Sequence, residues 1–99
     1  MVKINNIEEF DNLIKDGVCL VKVGSEFCGP CKVTSKNIES VEKDYPNVKF
    51  IDVDAEENED VSEKLNIRNV PTLIKFVDGI EETRYTGLMT VNKLIDFFK

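Results

Sequence analysis

Hydrophobic residues recur along this chain with two spacings, one typical of strands and one typical of helices. Short runs rich in β-branched residues predict buried strands, whereas apolar residues three and four positions apart predict amphipathic helices. The runs that predict strands are Val2–Asn5, Val18–Val23, Val48–Val53, Thr72–Val77 and Ile80–Thr86. The last two runs flank Asp78-Gly79, a dipeptide that favours a tight hairpin turn.

Four helices are predicted between and after these strands. Asn6 and Thr90 have side chains that cap the first and the last helix. The second helix is expected to begin at or just before Cys28, with an apolar face that extends as far as Tyr45. The other positions that would pack the helices on the sheet are Ile7, Phe10, Ile14, Thr34, Ile38, Val41, Val61, Leu65, Val91, Leu94, Ile95 and Phe98.

The order of elements, β-α-β-α-β-α-β-β-α, predicts an α/β fold. Its central sheet would be mixed and contain four to five strands, parallel in the βαβ units and antiparallel at the C-terminal hairpin. The four helices would flank both faces of this sheet. A chain of 99 residues is long enough to bury one hydrophobic core. Because no linker or repeat interrupts the pattern, residues 1–99 are expected to form a single domain.

Charge and composition narrow the class of protein. The net charge is −6, which argues against nucleic acid or an anionic membrane surface as the main partner. The N-terminus has no apolar run of signal-peptide length, and no stretch approaches a membrane span. We therefore expect a cytoplasmic protein, in which thiols are kept reduced. A close pair of cysteines in that compartment is more often catalytic or metal-binding than structural.

Such a pair occurs in the stretch SEFCGPCKVT, residues 25–34. At the N-terminus of a helix, unpaired N–H groups and the helix dipole would stabilise a Cys28 thiolate. Cys31 lies one turn further along the same face, within reach of the Cys28 sulfur. Pro30 costs little in a first helical turn, Gly29 leaves the approach to Cys28 open, and Phe27 adds an apolar rim.

Other interpretations of the cysteines remain open at this point. A structural zinc site needs four Cys or His ligands, and the chain has three Cys and no His. An iron–sulfur site shared between two chains is still possible by ligand count. A retained dithiol that only binds a partner is a further alternative. Cys19 lies in a predicted buried strand and is expected to be a small core residue, with a regulatory thiol as the minority interpretation.

Three stretches carry a resemblance to the thioredoxin family, and the resemblance extends across nearly the whole chain. LVKVGSEFCGPCK, residues 20–32, resembles the family's strand and active-site motif. IDVDAEENEDVSEKLNIRNVPTL, residues 51–73, resembles its central strand, helix and Val-Pro-Thr turn. FVDGIEETRYTGLMTVNKLIDFF, residues 76–98, resembles its closing hairpin, glycine and last helix. The resemblance implies a thioredoxin fold.

The resemblance also implies roles for site residues. It makes Cys28 the nucleophile and Cys31 the resolving thiol of a protein-disulfide reductase. The proline that matches Pro71 is cis in the family and packs against the cysteine pair. The turn Val70-Pro71-Thr72 would bind an extended substrate segment through the Val70 backbone, and Gly87 would admit the substrate chain from the other side.

Partners follow from the same resemblance. No cofactor would be held by the chain itself, since its redox centre would be the Cys28–Cys31 disulfide. A flavin-containing thioredoxin reductase would regenerate the dithiol with electrons from NADPH. Disulfide-containing proteins would be the clients, and the protein would act as a monomer.

Departures from the family pattern concern residues near the cysteines. Lys22 stands where the family usually has an aspartate, and Gly24 and Phe27 replace tryptophans. An ammonium group cannot accept a proton, so Lys22 is expected to modulate the site by stabilising the Cys31 thiolate. These changes keep two alternatives open. One is a thioredoxin-fold binding module with weak turnover, and the other is a glutaredoxin-like reductase that uses glutathione, against which the acidic charge counts.

Overall fold

In the computed structural model, which describes residues 1–98, five strands form one mixed sheet and four helices cover its faces. The strands are β1 (Val2–Lys3), β2 (Val18–Gly24), β3 (Val48–Asp54), β4 (Thr72–Val77) and β5 (Ile80–Thr86). The helices are α1 (Ile7–Ile14), α2 (Gly29–Glu42), α3 (Glu59–Lys64) and α4 (Val91–Phe97). The predicted α/β fold is confirmed, with the strand number at the upper end of the expected range.

The sheet has the strand order β1-β3-β2-β4-β5, which places β2 at its centre. β1 and β2 pair in parallel with β3, whereas β4 pairs antiparallel with both β2 and β5. Asp78 and Gly79 connect the hairpin with φ of 49° and 84°, the pair of positive angles that matches the twist of the flanking strands. The predicted hairpin is therefore confirmed.

The core consists of two clusters, one on each face of the sheet. Successive side chains of a strand point to opposite faces, so one strand contributes to both clusters. The cluster between the sheet, α1 and α3 includes Phe10, Val21, Val23, Val61 and Ile74. The cluster between the sheet, α2 and α4 includes Leu20, Ile38, Phe50, Leu73 and Leu94.

The predicted extent of α2 is wrong at its C-terminal end. The helix ends at Glu42, and the N–H groups of Asp44 and Tyr45 donate to the carbonyls of Val41 and Glu42, at 2.9 and 3.2 Å. These bonds span three residues and tighten the chain as it leaves the helix. Tyr45 still contributes to the same apolar cluster, but from the loop, where its ring lies 4.7 Å from that of Phe98.

The bounds of three strands also differ from the prediction. β1 includes Val2 and Lys3 but not Ile4 or Asn5, because only its first two residues pair with β3. β2 and β3 are each one residue longer than expected, since Gly24 and Asp54 pair with each other at the ends of these strands. This extension brings β2 closer to the cysteine pair.

Candidate functional site

Cys28 lies at the N-terminus of α2, as the sequence predicts, but as its cap, because the helix itself begins at Gly29 and not at or before Cys28. Its backbone is extended (φ −105°, ψ 111°), which is typical of the residue that precedes a helix. Its sulfur accepts a hydrogen bond of 3.1 Å from the N–H of Cys31. Pro30 lies in the first turn, where a missing N–H removes no helical bond. The site therefore places a sulfur at the positive end of a 14-residue helix.

Cys28 and Cys31 are joined by a disulfide bond, with 5.2 Å between their Cα atoms. Cys28 is partly exposed, whereas Cys31 is 1% exposed. The surface beside Cys28 is open, because a Cβ atom at Gly29 would have no neighbour within 4 Å. The side chain of Phe27 is 87% exposed at the same place. A partner protein can thus approach the sulfur of Cys28, while that of Cys31 lies behind it.

The loop before β4 lies next to the disulfide. The Val70-Pro71 peptide bond is cis, as the resemblance implies. The carbonyl oxygen of Val70 lies 4.0 Å from the sulfur of Cys28, although 42 residues separate the two in the chain. Gly87 comes from the end of β5 and donates its N–H to the carbonyl of Pro71 at 2.8 Å. Its φ of 122° favours glycine at this position.

Thr72 is buried like Pro71, and its side chain faces inward. It is 2% exposed, and its hydroxyl donates to the carbonyl of Asn69 at 2.6 Å. The same oxygen lies 3.3 Å from the hydroxyl of Thr86 on β5. These contacts connect the turn to β5. A substrate contact by Thr72 stays a prediction, and such a contact would have to use its backbone.

Lys22 is buried beneath the disulfide and is 7% exposed. Its ammonium donates to the hydroxyl of Ser35 at 2.7 Å and to a carboxylate oxygen of Asp52 at 3.3 Å. Asp52 and Ser35 were not predicted to be part of the site. The signals were present, since Asp52 pairs with Lys22 in the β2–β3 register and Ser35 lies one helical turn after Cys31.

Cys19 is a core residue, as expected, and it is fully buried. Its thiol donates to the carbonyl of Leu13 at 3.3 Å. Burial raises the pKa of the Cys19 thiol above its usual value, against a smaller opposing effect from Lys49. The reactive thiolate is therefore disfavoured at this position near neutral pH.

The disulfide also bears on the metal interpretation of the cysteines. Among residues 1–98, no group of three or more His, Cys, Asp or Glu side chains is arranged to hold a metal ion. The sulfurs of Cys28 and Cys31 are bonded to each other.

No helix within residues 1–98 has the length and apolar character needed to cross a membrane.

Comparison with known proteins shows similarity along the whole chain. The family model described as Thioredoxin matches residues 1–99. The thioredoxin of Chlamydia pneumoniae is 38% identical over 88 residues, which cover 89% of this chain and 86% of that protein. The thioredoxin of Pseudomonas aeruginosa is 36% identical over 90 residues, with 90% and 83% covered. The solved structure of Plasmodium falciparum thioredoxin matches with a TM-score of 0.92 at 30% identity, covering 98% of this chain and 95% of that one.

Proposed function

We propose that this chain, which belongs to the thioredoxin family and is a thiol–disulfide oxidoreductase, reduces protein disulfides with Cys28 as nucleophile and Cys31 as resolving thiol. Thioredoxins have their redox centre in the polypeptide, so the Cys28–Cys31 pair needs no bound cofactor. The observation that carries the two roles is their difference in exposure. Cys28 is accessible to a partner, whereas Cys31 is 1% exposed and lies behind it.

The chemistry begins from the reduced pair. The helix N-terminus favours the thiolate of Cys28, which attacks a disulfide sulfur of the client and releases one client thiolate. Cys31 then attacks the Cys28 sulfur of this mixed disulfide, and the second client thiolate leaves. The two thiolates that leave take up the protons that Cys28 and Cys31 lose. Two electrons thus pass from the dithiol to the client, and the Cys28–Cys31 disulfide is formed.

The surface around Cys28 supports binding of an extended client segment. The segment would pair with the backbone of Val70 in the manner of an added strand, which brings a client disulfide to Cys28. Phe27 would provide an exposed apolar contact on one side. Gly29 and Gly87 would leave room for the client backbone because neither has a side chain.

We infer the remaining partners from family membership. A flavoprotein reductase that uses NADPH would reduce the Cys28–Cys31 disulfide after each cycle. The protein would work in the cytoplasm. It would act as a monomer, since brief contact with many disulfides needs only a small docking surface. The two apolar clusters share one sheet, which supports the view that residues 1–99 form one domain.

Insulin reduction by dithiothreitol tests the proposed roles. The wild-type protein is expected to accelerate insulin precipitation, and both Cys28→Ser and Cys31→Ser are expected to abolish the acceleration. When it is reduced beforehand and mixed with insulin in the absence of dithiothreitol, Cys31→Ser should accumulate a mixed disulfide with insulin that is visible by intact-mass spectrometry, because the resolving thiol is missing. Cys28→Ser should accumulate none.

The control is Cys19→Ala, which removes the buried third cysteine and is expected to leave turnover unchanged. A trapped adduct in Cys28→Ser instead of Cys31→Ser would reverse the two roles. A folded wild-type protein that does not accelerate the reaction above the dithiothreitol background would contradict the reductase proposal and favour a binding module. Glutathione-dependent turnover that exceeds turnover with a thioredoxin reductase would favour the glutaredoxin-like alternative.

A further inference from the structure

Gly24 lies where a side chain would meet both Lys22 and Cys31. A Cβ atom built on Gly24 would be 3.0 Å from Cε and 3.2 Å from Nζ of Lys22, and 3.1 Å from Sγ of Cys31. Lys22 and Gly24 are two positions apart on β2, so they face the same side of the sheet. The ammonium of Lys22 and the sulfur of Cys31 therefore lie near each other, on either side of the space that Gly24 leaves empty.

Two polar contacts hold the ammonium of Lys22 at this place. Ser35 accepts one hydrogen bond at 2.7 Å, and it lies one turn after Cys31 on the same face of α2. Asp52 of β3 accepts another at 3.3 Å. The side chain of Lys22 is 8% exposed and that of Asp52 is 22% exposed. The positive charge is thus fixed at the edge of a cleft that Cys31 also lines.

We propose that Lys22 and Gly24 act as one unit that speeds the resolving step. The ammonium of Lys22 favours the thiolate of Cys31, and Gly24 has no side chain that would push either group out of place. The inference rests on the proposed role of Cys31 as the resolving thiol. Lys22 is a positioning residue in this scheme, because its charge acts on Cys31 and not on the client disulfide.

The step balances without a base on Lys22. Cys31 gives up its proton, its thiolate bonds to the Cys28 sulfur, and the bond between Cys28 and the client sulfur breaks. The client thiolate leaves and takes up a proton, so no net proton is consumed. The ammonium gains and loses nothing. It lowers the free energy of the thiolate that exists between these events.

Other charged groups line the same cleft of about 640 Å³. From β1 and α2 these are the exposed residues Lys3, Lys32, Lys36 and Glu39. The other acidic residues are Glu26 in the loop after β2, Asp52 and Asp54 in β3, and Glu57 in the loop after β3. Solvent screens exposed charges more strongly than buried ones. Lys22 is the buried lysine of this group, so its effect on Cys31 should exceed that of the other three.

The test separates the two thiol steps by stopped-flow absorbance with dithiobis-nitrobenzoate, a small aromatic disulfide. Attack by Cys28 releases a first coloured thiolate, and attack by Cys31 on the resulting mixed disulfide releases a second. Lys22→Met keeps the length of the side chain and removes its charge. We expect it to leave the first phase unchanged and to slow the second at neutral pH. The pH midpoint of the second phase should move to higher pH.

The expected size follows from thiolate reactivity. The size can be worked out for a case in which Lys22→Met lowers the fraction of Cys31 thiolate by about tenfold. A more basic thiol is a stronger nucleophile, which offsets part of this loss, so the second phase should slow by about threefold to fourfold. Lys22→Arg keeps the charge. The rate of its second phase should stay within about twofold of wild type. Absence of the first phase in the wild-type protein would instead contradict the proposed role of Cys28, so the two proposals can fail separately.

A double-mutant cycle tests the unit formed with Gly24. The φ of Gly24 is not positive, so Gly24→Ala introduces contacts with Lys22 and Cys31 but no backbone strain. It should displace the ammonium and slow the second phase. Combined with Lys22→Met, it should slow the phase by less than the product of the two single effects, because only the contact with Cys31 remains once the charge is absent. Effects that multiply would contradict the proposed unit.

Two matched controls complete the design. Lys75→Met removes another buried lysine charge from the same face of the sheet, and Lys36→Met removes an exposed charge from the same cleft. Both should leave the second phase within about twofold of wild type. A folded Lys22→Met protein with an unchanged pH midpoint would overturn the proposal. Equal slowing in either control would overturn it as well.

Discussion

Lys22 and Lys75 are both buried on β-strands and face the same side of the sheet, yet their surroundings differ. Their exposed fractions are 7% and 8%. In the antiparallel pairing of β2 with β4, Lys22 lies opposite Leu73 and Lys75 lies opposite Leu20. Lys22 points toward the end of the sheet that carries the disulfide. Lys75 points toward the other end, beside a recess of about 370 Å³ that α4 and β5 line.

The ion-pair partners of the two lysines mark the difference. Asp52 pairs with Lys22 and its side chain is 22% exposed, whereas Glu82 pairs with Lys75 and is 54% exposed. Lys22 also has Ser35 as a hydrogen-bond partner. A charge whose partner is more withdrawn from water interacts more strongly with its neighbours. Two lysines of similar burial therefore differ in their surroundings, and the role proposed for Lys22 depends on its position near Cys31.

The largest effect is expected from the leucines opposite the lysines, because both are fully packed. Leu73→Ala should lower the free energy of unfolding by about 3 kcal/mol, since it deletes buried methyl groups and leaves a cavity. Leu20→Ala should have a similar cost, because Leu73 and Leu20 are 0% and 1% exposed. Urea unfolding followed by circular dichroism measures both.

The control for this prediction is Leu88→Ala, whose leucine is 39% exposed. It should cost less than about 1 kcal/mol. A large difference between Leu20→Ala and Leu73→Ala would mean that the two ends of this core face are not equivalent in packing.

A smaller effect is expected when the partner of each lysine is neutralised. Asp52→Asn should lower the free energy of unfolding by about 2 kcal/mol, because it leaves the buried ammonium of Lys22 without a compensating charge. Glu82→Gln should cost less than about 1 kcal/mol, since Glu82 is more than half exposed and its pair is more strongly solvated. The same urea titration compares the two variants. Equal losses would show that the exposure of the carboxylate does not set the strength of these pairs.

The smallest effect is expected for an ion pair on the surface of β5, which serves as a reference for the two pairs that contain a buried lysine. A hydrogen bond from Arg84 lowers the pKa of Glu81 below its usual value. Since the pKa is lower in the folded state, the pair stabilises the protein above the unfolded-state pKa of 4.5, and this contribution is lost as pH falls below that value. Arg84→Gln should remove less than about 0.5 kcal/mol at neutral pH.

Urea midpoints measured at neutral pH and near pH 3 test this sign. The difference in stability between wild type and Arg84→Gln should shrink as the pH falls. A difference that grows on acidification would contradict the assigned direction of the Glu81 pKa.

Most of the fold could be predicted because its elements have local signals. β4 and β5 have the predicted bounds, and the turn between them uses the predicted Asp78-Gly79. The start of α2 was predicted from the motif around Cys28, and the structure places Cys28 at the N-cap. The end of α2 was predicted poorly. Tyr45 has the spacing of a helical residue, but its ring reaches the same cluster from a loop through contact with Phe98.

The surroundings of Lys22 and Lys75 could be predicted only in part. Lys22 is predicted to modulate the site because it stands where the family usually has an aspartate, but its partners lie on β3 and α2. Gly24 replaces a tryptophan of the family pattern, and its position next to Lys22 and Cys31 depends on how α2 packs on the sheet. No feature of the sequence near Lys75 predicts that it is buried, since a lysine in an apolar strand is equally compatible with an exposed edge.

What could be deduced from residue order is therefore the set of elements and the reactive pair. Alternation, capping residues and turn residues act over a few positions, and Cys28 and Cys31 are separated by one helical turn. The arrangement of Lys22, Gly24 and Cys31 depends on the register of β2 with β3 and on how α2 packs on the sheet. The interaction of a charge with a thiol depends on distance and on exclusion of water, and both quantities arise from contacts between segments that are far apart in the chain.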